Sequence, residues 1–329
     1  MYEEFYQFTT KPFALNPDPT FYYNSREHSR VLAYLRYGLN QGEGFIVVSG
    51  DVGAGKTTLI GALLEELGEN EDIIAAQLVT TQLQPDDLLR MVAGSFGLRY
   101  EKLTKSELLK EIESFLKKNA ELGRRVLLIV DEAQNLEHHS LEELRMLSNF
   151  QKGAHSLLQS FLLGQGEFRD TLRSRDLEQF RQRVIASYHL GPMGKNEIKG
   201  YIEHRLKKSG WKSDPHFAID VFAEIFRYTD GIPRRINTFC DRILLHAFTE
   251  ESHDITLDTI AAVVKELDQE LHFSGNGDPE TAKTRGGAKN YQSSGVNDNE
   301  RLANLEERIC HLEEVIIKGQ DFLKTFLKT

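Results

Sequence analysis

One stretch limits the folds open to this chain more than any other: FIVVSGDVGAGKTTL, residues 45–59. Its first six residues are largely apolar and read as a buried strand. Gly50 to Thr57 then fit the pattern G-x-x-x-x-G-K-[ST]. That pattern does its chemistry only as a strand–loop–helix unit. Glycines let consecutive backbone N–H groups turn inward around phosphate oxygens, the lysine reaches the β- and γ-oxygens, and the next hydroxyl can hold Mg²⁺. A helix starting near Lys56 points its positive end at the same anion. The expected nucleotide-binding residues are therefore Gly50, Asp51, Val52, Gly53, Ala54, Gly55, Lys56, Thr57 and Thr58, with ATP as the ligand.

A strand carrying such a loop needs neighbours. The runs IIAAQLV (73–79), RVLLIVD (125–131), SLLQSFLLG (156–164) and VIASYHL (184–190) read as further strands. Between them lie helices with recognisable starts. Leu32, Leu35 and Leu39 mark one over 26–39, with Gly42 and Gly44 at its exit. Thr104 with Glu107, and Ser140 with Glu143, fit the capping box, and Pro85-Asp86-Asp87 is a favourable first turn. This alternation predicts an α/β fold, a P-loop core over 25–193 built on a mostly parallel five-stranded sheet.

The remaining segments differ in character. Residues 1–24 are rich in aromatics and proline and read as an extended segment that packs through its rings. After residue 193 the strand signal stops, and 194–271 read as an all-helical domain of four helices, broken at Gly210, Gly231 and around Asp254. Residues 272–300 are Gly/Ser/Asn-rich, the composition of a disordered linker. In 301–329 the three-four spacing of Leu302, Leu305, Ile309, Leu312, Ile316, Leu323 and Phe326, interrupted at Gly319, reads as a short amphipathic coiled-coil seam. It suits a partner helix; docking back on the body is the alternative.

A second acidic motif completes the site. The strand RVLLIVD runs into Asp131-Glu132, which sets Asp131 beside the Mg²⁺ held by Thr57 and leaves Glu132 to orient and polarise an attacking water. Together the two motifs imply ATP hydrolysis rather than binding alone. The letters DEAQ also occur in helicases, but a second RecA-like domain with its own arginine-rich motif is not among these residues. Two arginine constellations follow, RQRV with Arg181 and Arg183 before the last strand, and GIPRRIN with Arg234 and Arg235. A planar guanidinium suits phosphate oxygens, and from so far along the chain it reaches them by domain closure or from a neighbouring subunit.

In this order, the P-loop, LLIVDEAQNL, LLGQ, RQRV and GIPRRIN resemble AAA+ ATPases of the general secretion pathway A type, relatives of the transposition ATPases. The segments KPFALNPDP, LEELRMLSNFQ, LLQSFLLGQGEFR and GIPRRINTFCDRILL carry a resemblance, over residues 1–270, to the ATPase associated with exosortase A systems. The resemblance implies a lid for 194–271 and assigns Gln165 to the sensor of γ-phosphate or water. It implies that Arg183 is a finger given to a neighbour's site, with Arg181 the second candidate, and that Arg234 is a sensor acting from the lid. Gly166 departs from it, since relatives usually place a proline there and the loop is looser without one. Relatives of the secretion type continue into a membrane span and a peptidoglycan-binding region; neither is read in these residues, so no cell-wall role is carried over.

The resemblance further implies self-assembly, head to tail, into a ring or helix, and a protein partner at a membrane-linked export system reached through 301–329. Competing readings are a DNA-bound ATPase of the transposition-helper type and a nucleotide-dependent binding switch. A net charge of −10 weighs against strong nonspecific nucleic-acid binding, which needs clustered positive charge. Cys240 and Cys310 form no metal or redox spacing and suit a cytoplasmic protein; no 18-residue apolar run is present, so contact with the inner membrane would be peripheral, through a partner. His28, His138, His139 and His189 read as surface or capping residues, and the adenine pocket is expected to form from PFALNPDP and the helix after it.

Overall fold

A computed structural model describes residues 1–68, 71–79, 85–153 and 155–274; the predicted helix 301–329, Cys310 and all but the first three residues of the predicted linker lie outside the described residues. Five parallel strands form the central sheet. They are β1 (Phe45–Gly50), β2 (Ile73–Val79), β3 (Arg125–Asp131), β4 (Leu158–Gly164) and β5 (Val184–Leu190), in the spatial order β2-β3-β4-β1-β5. The fourth predicted strand starts two residues late. Ser156 belongs instead to a two-residue antiparallel pairing of His155–Ser156 with Gln151–Lys152, and the sheet is joined only at Leu158.

Strand periodicity explains the two-faced core. Phe45, Val47, Leu128, Val130 and Leu162 enter one buried cluster, while Ile46, Val48, Leu127, Ile129, Phe161 and Leu163 enter the cluster on the opposite face. Every residue of β1 and β4 is buried, whereas β5 alternates half-buried with exposed positions. The apolar continuity of the first two reflects cover on both faces, and the alternation of β5 its place at an edge. Helices α1 (Arg26–Gln41), α2 (Lys56–Gly68), α3 (Pro85–Ser95), α4 (Lys105–Glu121), α5 (His138–Leu147) and α6 (Gly166–Leu172) supply that cover.

Local rules set most helix ends. Ser25 caps α1, accepting from the His28 N–H, and Gly42 ends it in the left-handed conformation. Thr104 and Glu107 form the expected reciprocal box on α4. The box expected at Ser140 and Glu143 does not form: α5 starts earlier, at His138, and Ser140 is buried within its first turn. The turn Ala133–Asn135 and the buried Leu136 fix where the chain leaves β3, and Leu141 and Leu144 must face the core. Tertiary packing therefore moves the start upstream of the local signal.

The C-terminal region holds α7 (Ile198–Lys208), α8 (Val221–Thr229), α9 (Pro233–Thr249) and α10 (Leu257–Ser274). It is not purely helical, because His216–Phe217 pairs in parallel with Asp254–Ile255. Nor is the N-terminal segment extended throughout, since it opens with a helical turn, Tyr2–Phe5, and has a tight turn at Pro19–Phe21. Its rings are part of the second core: Tyr2, Tyr6, Phe8 and Phe13 pack with Tyr201, Ile225, Phe239 and Ile243. The buried Arg205 holds this strap, donating to the Pro12 and Ala14 carbonyls with its guanidinium 4.7 Å from the Phe21 ring centroid.

Phe13 is fully buried while Leu15, two residues on, is largely exposed. Phe13→Ala should therefore cost about 3–5 kcal/mol of unfolding free energy, and Leu15→Ala less than about 0.5, as urea denaturation of the two variants will show.

Candidate functional site

Sheet topology places the site. The chain leaves β1 and reaches β2 at the far edge, passing β4 and β3, so the strand order reverses at β1. In open α/β sheets the crevice at the carboxyl ends of strands around such a reversal is where ligands bind. Gly50, Asp131 and Gly164 all end their strands on that side. β3 and β1 are separated by β4, which puts their ends roughly 10 Å apart by ordinary strand spacing. Side chains of Thr57 and Asp131 bridge this gap.

The loop Asp51–Gly55 has the backbone that a phosphate cradle needs. Gly53 and Gly55 take φ of 81° and 95°, in the range that disfavours side chains. Both also lie against close neighbours. A Cβ on Gly53 would stand 2.3 Å from Cβ of Arg234, and one on Gly55 2.9 Å from Nε2 of His28. The loop is thus sandwiched between the start of α9 above and α1 below.

Lys56 is buried, and its ammonium donates to the Gly50 carbonyl at 2.7 Å and the Asp51 carbonyl at 3.1 Å. Burial lowers its pKa, against the opposing pull of Glu132, Asp131 and Asp51. The Thr57 hydroxyl donates to Oδ2 of the buried Asp131 at 2.8 Å. A hydroxyl and a carboxylate side by side beneath a phosphate loop are a hard oxygen donor set, so the residues present fit Mg²⁺.

Glu132 adopts φ 54° and ψ 40°, the left-handed region that non-glycine residues rarely enter. Strain of this kind persists only where surroundings enforce it. Here the side chain is held by amides: Gln134 Nε2 and, at 3.1 Å, Gln165 Nε2 both donate to Oε2, and the Gln165 N–H donates to Gln134 Oε1 at 3.0 Å. Burial works to raise the Glu132 pKa, but these hydrogen bonds and the charge of Lys56 outweigh it, and the net shift is downward.

Other predicted residues sort clearly. Arg234 is exposed at the start of α9 on the cavity wall, and its backbone N–H donates to the Gly53 carbonyl at 3.1 Å. Val52, Gly53, Gly55, Lys56, Thr57, Thr58, Glu132, Gln165 and Arg234 line one cavity of about 190 Å³. Residues 14–18 of the strap line it too, with Tyr22, Tyr201 and Asn237. Arg183 does not. It precedes β5 at the opposite end of the sheet, and its guanidinium donates to the Asn149 side chain. Arg181 is committed within the chain to the Leu172 and Ser174 carbonyls.

Sequence reasoning missed His28. It does sit in a cap, with Nδ1 2.7 Å from the Ser25 hydroxyl, but the ring is buried beneath the P-loop and hydrogen-bonded to the Ala54 backbone. The spacing of Ser25 and His28 announces the cap; nothing local announces the loop. His138 and His139 are at the surface as expected, and His189 is exposed on β5 with Nδ1 3.1 Å from the Ser49 hydroxyl.

Residues 39–172 match the AAA domain family model. The core is an AAA domain. Over 268 residues, 81% of this chain, the sequence is 37% identical to general secretion pathway protein A of Aeromonas hydrophila, of whose length this chain spans 48%. That similarity supports a place in the same AAA+ ATPase family. Among solved structures the fold is similar to Cdc6p from Pyrobaculum aerophilum, with a TM-score of 0.59 at 16% identity, covering 80% of this chain and 70% of that one. It is also similar to the Aeropyrum pernix ORC2 protein in its ADPNP–ADP complexes, with a TM-score of 0.55 at 15% identity, covering 73% and 66%. At such identities the likeness establishes the P-loop AAA+ fold alone. Among the described residues no helix is long and apolar enough to cross a membrane.

Burial pulls the His28 pKa down to about 4, from 6.5. The unfolded chain therefore binds the extra proton first, so this stability is present above about pH 6.5 and declines toward pH 4, by up to about 1.4 kcal/mol per pH unit. Urea midpoints for the wild type should fall between pH 7 and pH 5 by more than those for His28→Gln.

Proposed function

We propose that this chain hydrolyses ATP in the cavity between core and lid and couples turnover to a membrane-linked export or exopolysaccharide-assembly system of the exosortase-associated kind. The observation that carries hydrolysis, beyond binding, is the geometry of Glu132. A carboxylate held in a strained backbone by two amides, one residue from the Asp131–Thr57 pair, is set to orient and polarise water. The process is motivated by the similarity to general secretion pathway protein A together with the motifs quoted above.

In this reading the triphosphate lies along Gly50–Thr58, whose N–H groups and helix α2 terminus attract it. Lys56 exchanges its carbonyl partners for β- and γ-oxygens. Thr57 and Asp131 hold Mg²⁺, which when bound neutralises charge building on the phosphate oxygens. Glu132 orients the attacking water, Gln165 contacts the γ-phosphate or that water, and Arg234 clamps from the lid. The base faces residues 14–18 and Tyr22.

Arg183, outside this cavity and bonded to Asn149, is in this reading the finger given to a neighbouring subunit's site, with Arg181 the second candidate. A head-to-tail interface built this way closes into a ring or continues as a helix. The protein works in the cytoplasm, or peripherally at the inner membrane through a partner bound by 301–329.

The test is ATP turnover against protein concentration, with and without duplex DNA, for wild type, Arg183→Ala and Glu132→Gln. Specific activity should rise with concentration, ignore DNA, and fall by about 10³-fold in Arg183→Ala at unchanged nucleotide affinity. Concentration-independent turnover would overturn the shared site. DNA-stimulated turnover that drops steeply with salt would replace the export reading by the DNA-bound one.

A further inference from the structure

Gln134 has entered so far only as one of the two amides that donate to Glu132, yet its own amide is the hub of that side of the cavity. It meets two partners in opposite senses. Its Nε2 donates to Glu132 Oε2, and its Oε1 accepts the Gln165 N–H at 3.0 Å. Gln165 closes the ring by donating from Nε2 to the same Glu132 oxygen at 3.1 Å. Three residues from the β3 and β4 ends thus form one closed hydrogen-bond circuit, through their side chains and the Gln165 backbone N–H.

The circuit joins the turn after β3 to the junction between β4 and α6. On the β3 side, the turn Ala133–Asn135 is pinned by the fully buried Ala133, so the Gln134 stem is anchored. On the β4 side, Gln165 is the single residue between Gly164, which ends β4, and Gly166, which starts α6, and its carbonyl accepts the Phe168 N–H at 3.0 Å. The bond from the Gln165 N–H to Gln134 ties this junction to the pinned turn.

We propose that Gln134 is a positioning residue that orients the Glu132 carboxylate and holds it in register with Gln165, so that both groups present to the attacking water as one unit. The inference rests on the reading of Glu132 given above. The side-chain type follows from the circuit. One partner needs a donor and the other an acceptor, and a primary amide carries both on one rigid plane. Glutamate at 134 would keep the acceptor and set a second carboxylate against Glu132. Methionine would keep the length and neither hydrogen bond.

The experiment is steady-state and single-turnover ATP hydrolysis by the full chain, with binding of a fluorescent ATP analogue and thermal unfolding measured in parallel. The variants are Gln134→Met, Gln134→Glu, Gln165→Met, Gln134→Met/Gln165→Met and Glu132→Gln. Gln134→Met should lower kcat by about 10- to 100-fold with KM, analogue affinity and Tm near wild type, the pattern of a group acting only in the reacting state. Gln134→Glu should be impaired at least as much. The double variant should be little slower than the slower single, because members of one unit are not additive. Unchanged kcat in Gln134→Met, a parallel loss of kcat and nucleotide affinity, or multiplied effects in the double variant would each overturn the inference. Glu132→Gln separates the two layers. If it hydrolyses normally, the Glu132 reading fails and this inference with it; if it is inactive while Gln134→Met is not impaired, this inference alone fails.

Discussion

The hydrogen bond from the Arg234 N–H to the Gly53 carbonyl is the contact on which the rest of the cavity depends. It seats the first turn of α9 directly on the phosphate loop, closely enough that no side chain fits at position 53. Pro233, at a position where a helix needs no N–H, starts α9 at that point and leaves the following N–H free to reach outward. With this seat, residues 14–18, Tyr201 and Asn237 become cavity walls; without it they are parts of a separate helical unit. The strap reinforces the arrangement, since its rings belong to the core of the C-terminal helices while Ser25 and His28 at its far end support the loop from beneath.

Within the cavity, charge is arranged in a short series. Lys56 is surrounded by the carboxylates of Asp51, Asp131 and Glu132, all acting to keep its ammonium charged against burial. Asp131 engages Thr57, and Glu132 is turned away by its left-handed backbone toward the two glutamines. Adjacent acids thereby acquire different surroundings, one beside a hydroxyl and the loop, the other beside neutral amides. The division suits the two tasks proposed for them, holding a cation and handling a water.

Much of this was legible in the residue order. The P-loop works only between a buried strand and a helix, and the structure supplies both. Strands alternating with helices announced a sheet covered on both faces, and Thr104 with Glu107 announced a helix start. Where reading failed, packing had overruled a local signal. Ser140 has every attribute of a cap, yet the buried Leu136 and the turn before it start the helix sooner. Ser156 continues an apolar run, yet is drawn into the small pairing with Gln151–Lys152.

By itself the sequence determined the kind of site: a loop whose glycines and lysine admit few uses, and a paired acid at the end of an apolar strand. These are local matters, governed by backbone freedom and by side-chain chemistry a few residues apart. Tertiary structure decided what stands opposite them. That aromatic residues 2–13 complete the core of the C-terminal helices, that His28 lies under Gly55, and that Gln134 meets Gln165 from a different strand all depend on chain crossings over tens to hundreds of residues. Such contacts arise when apolar faces are buried together, and the polar partners that result carry no signature in either segment alone.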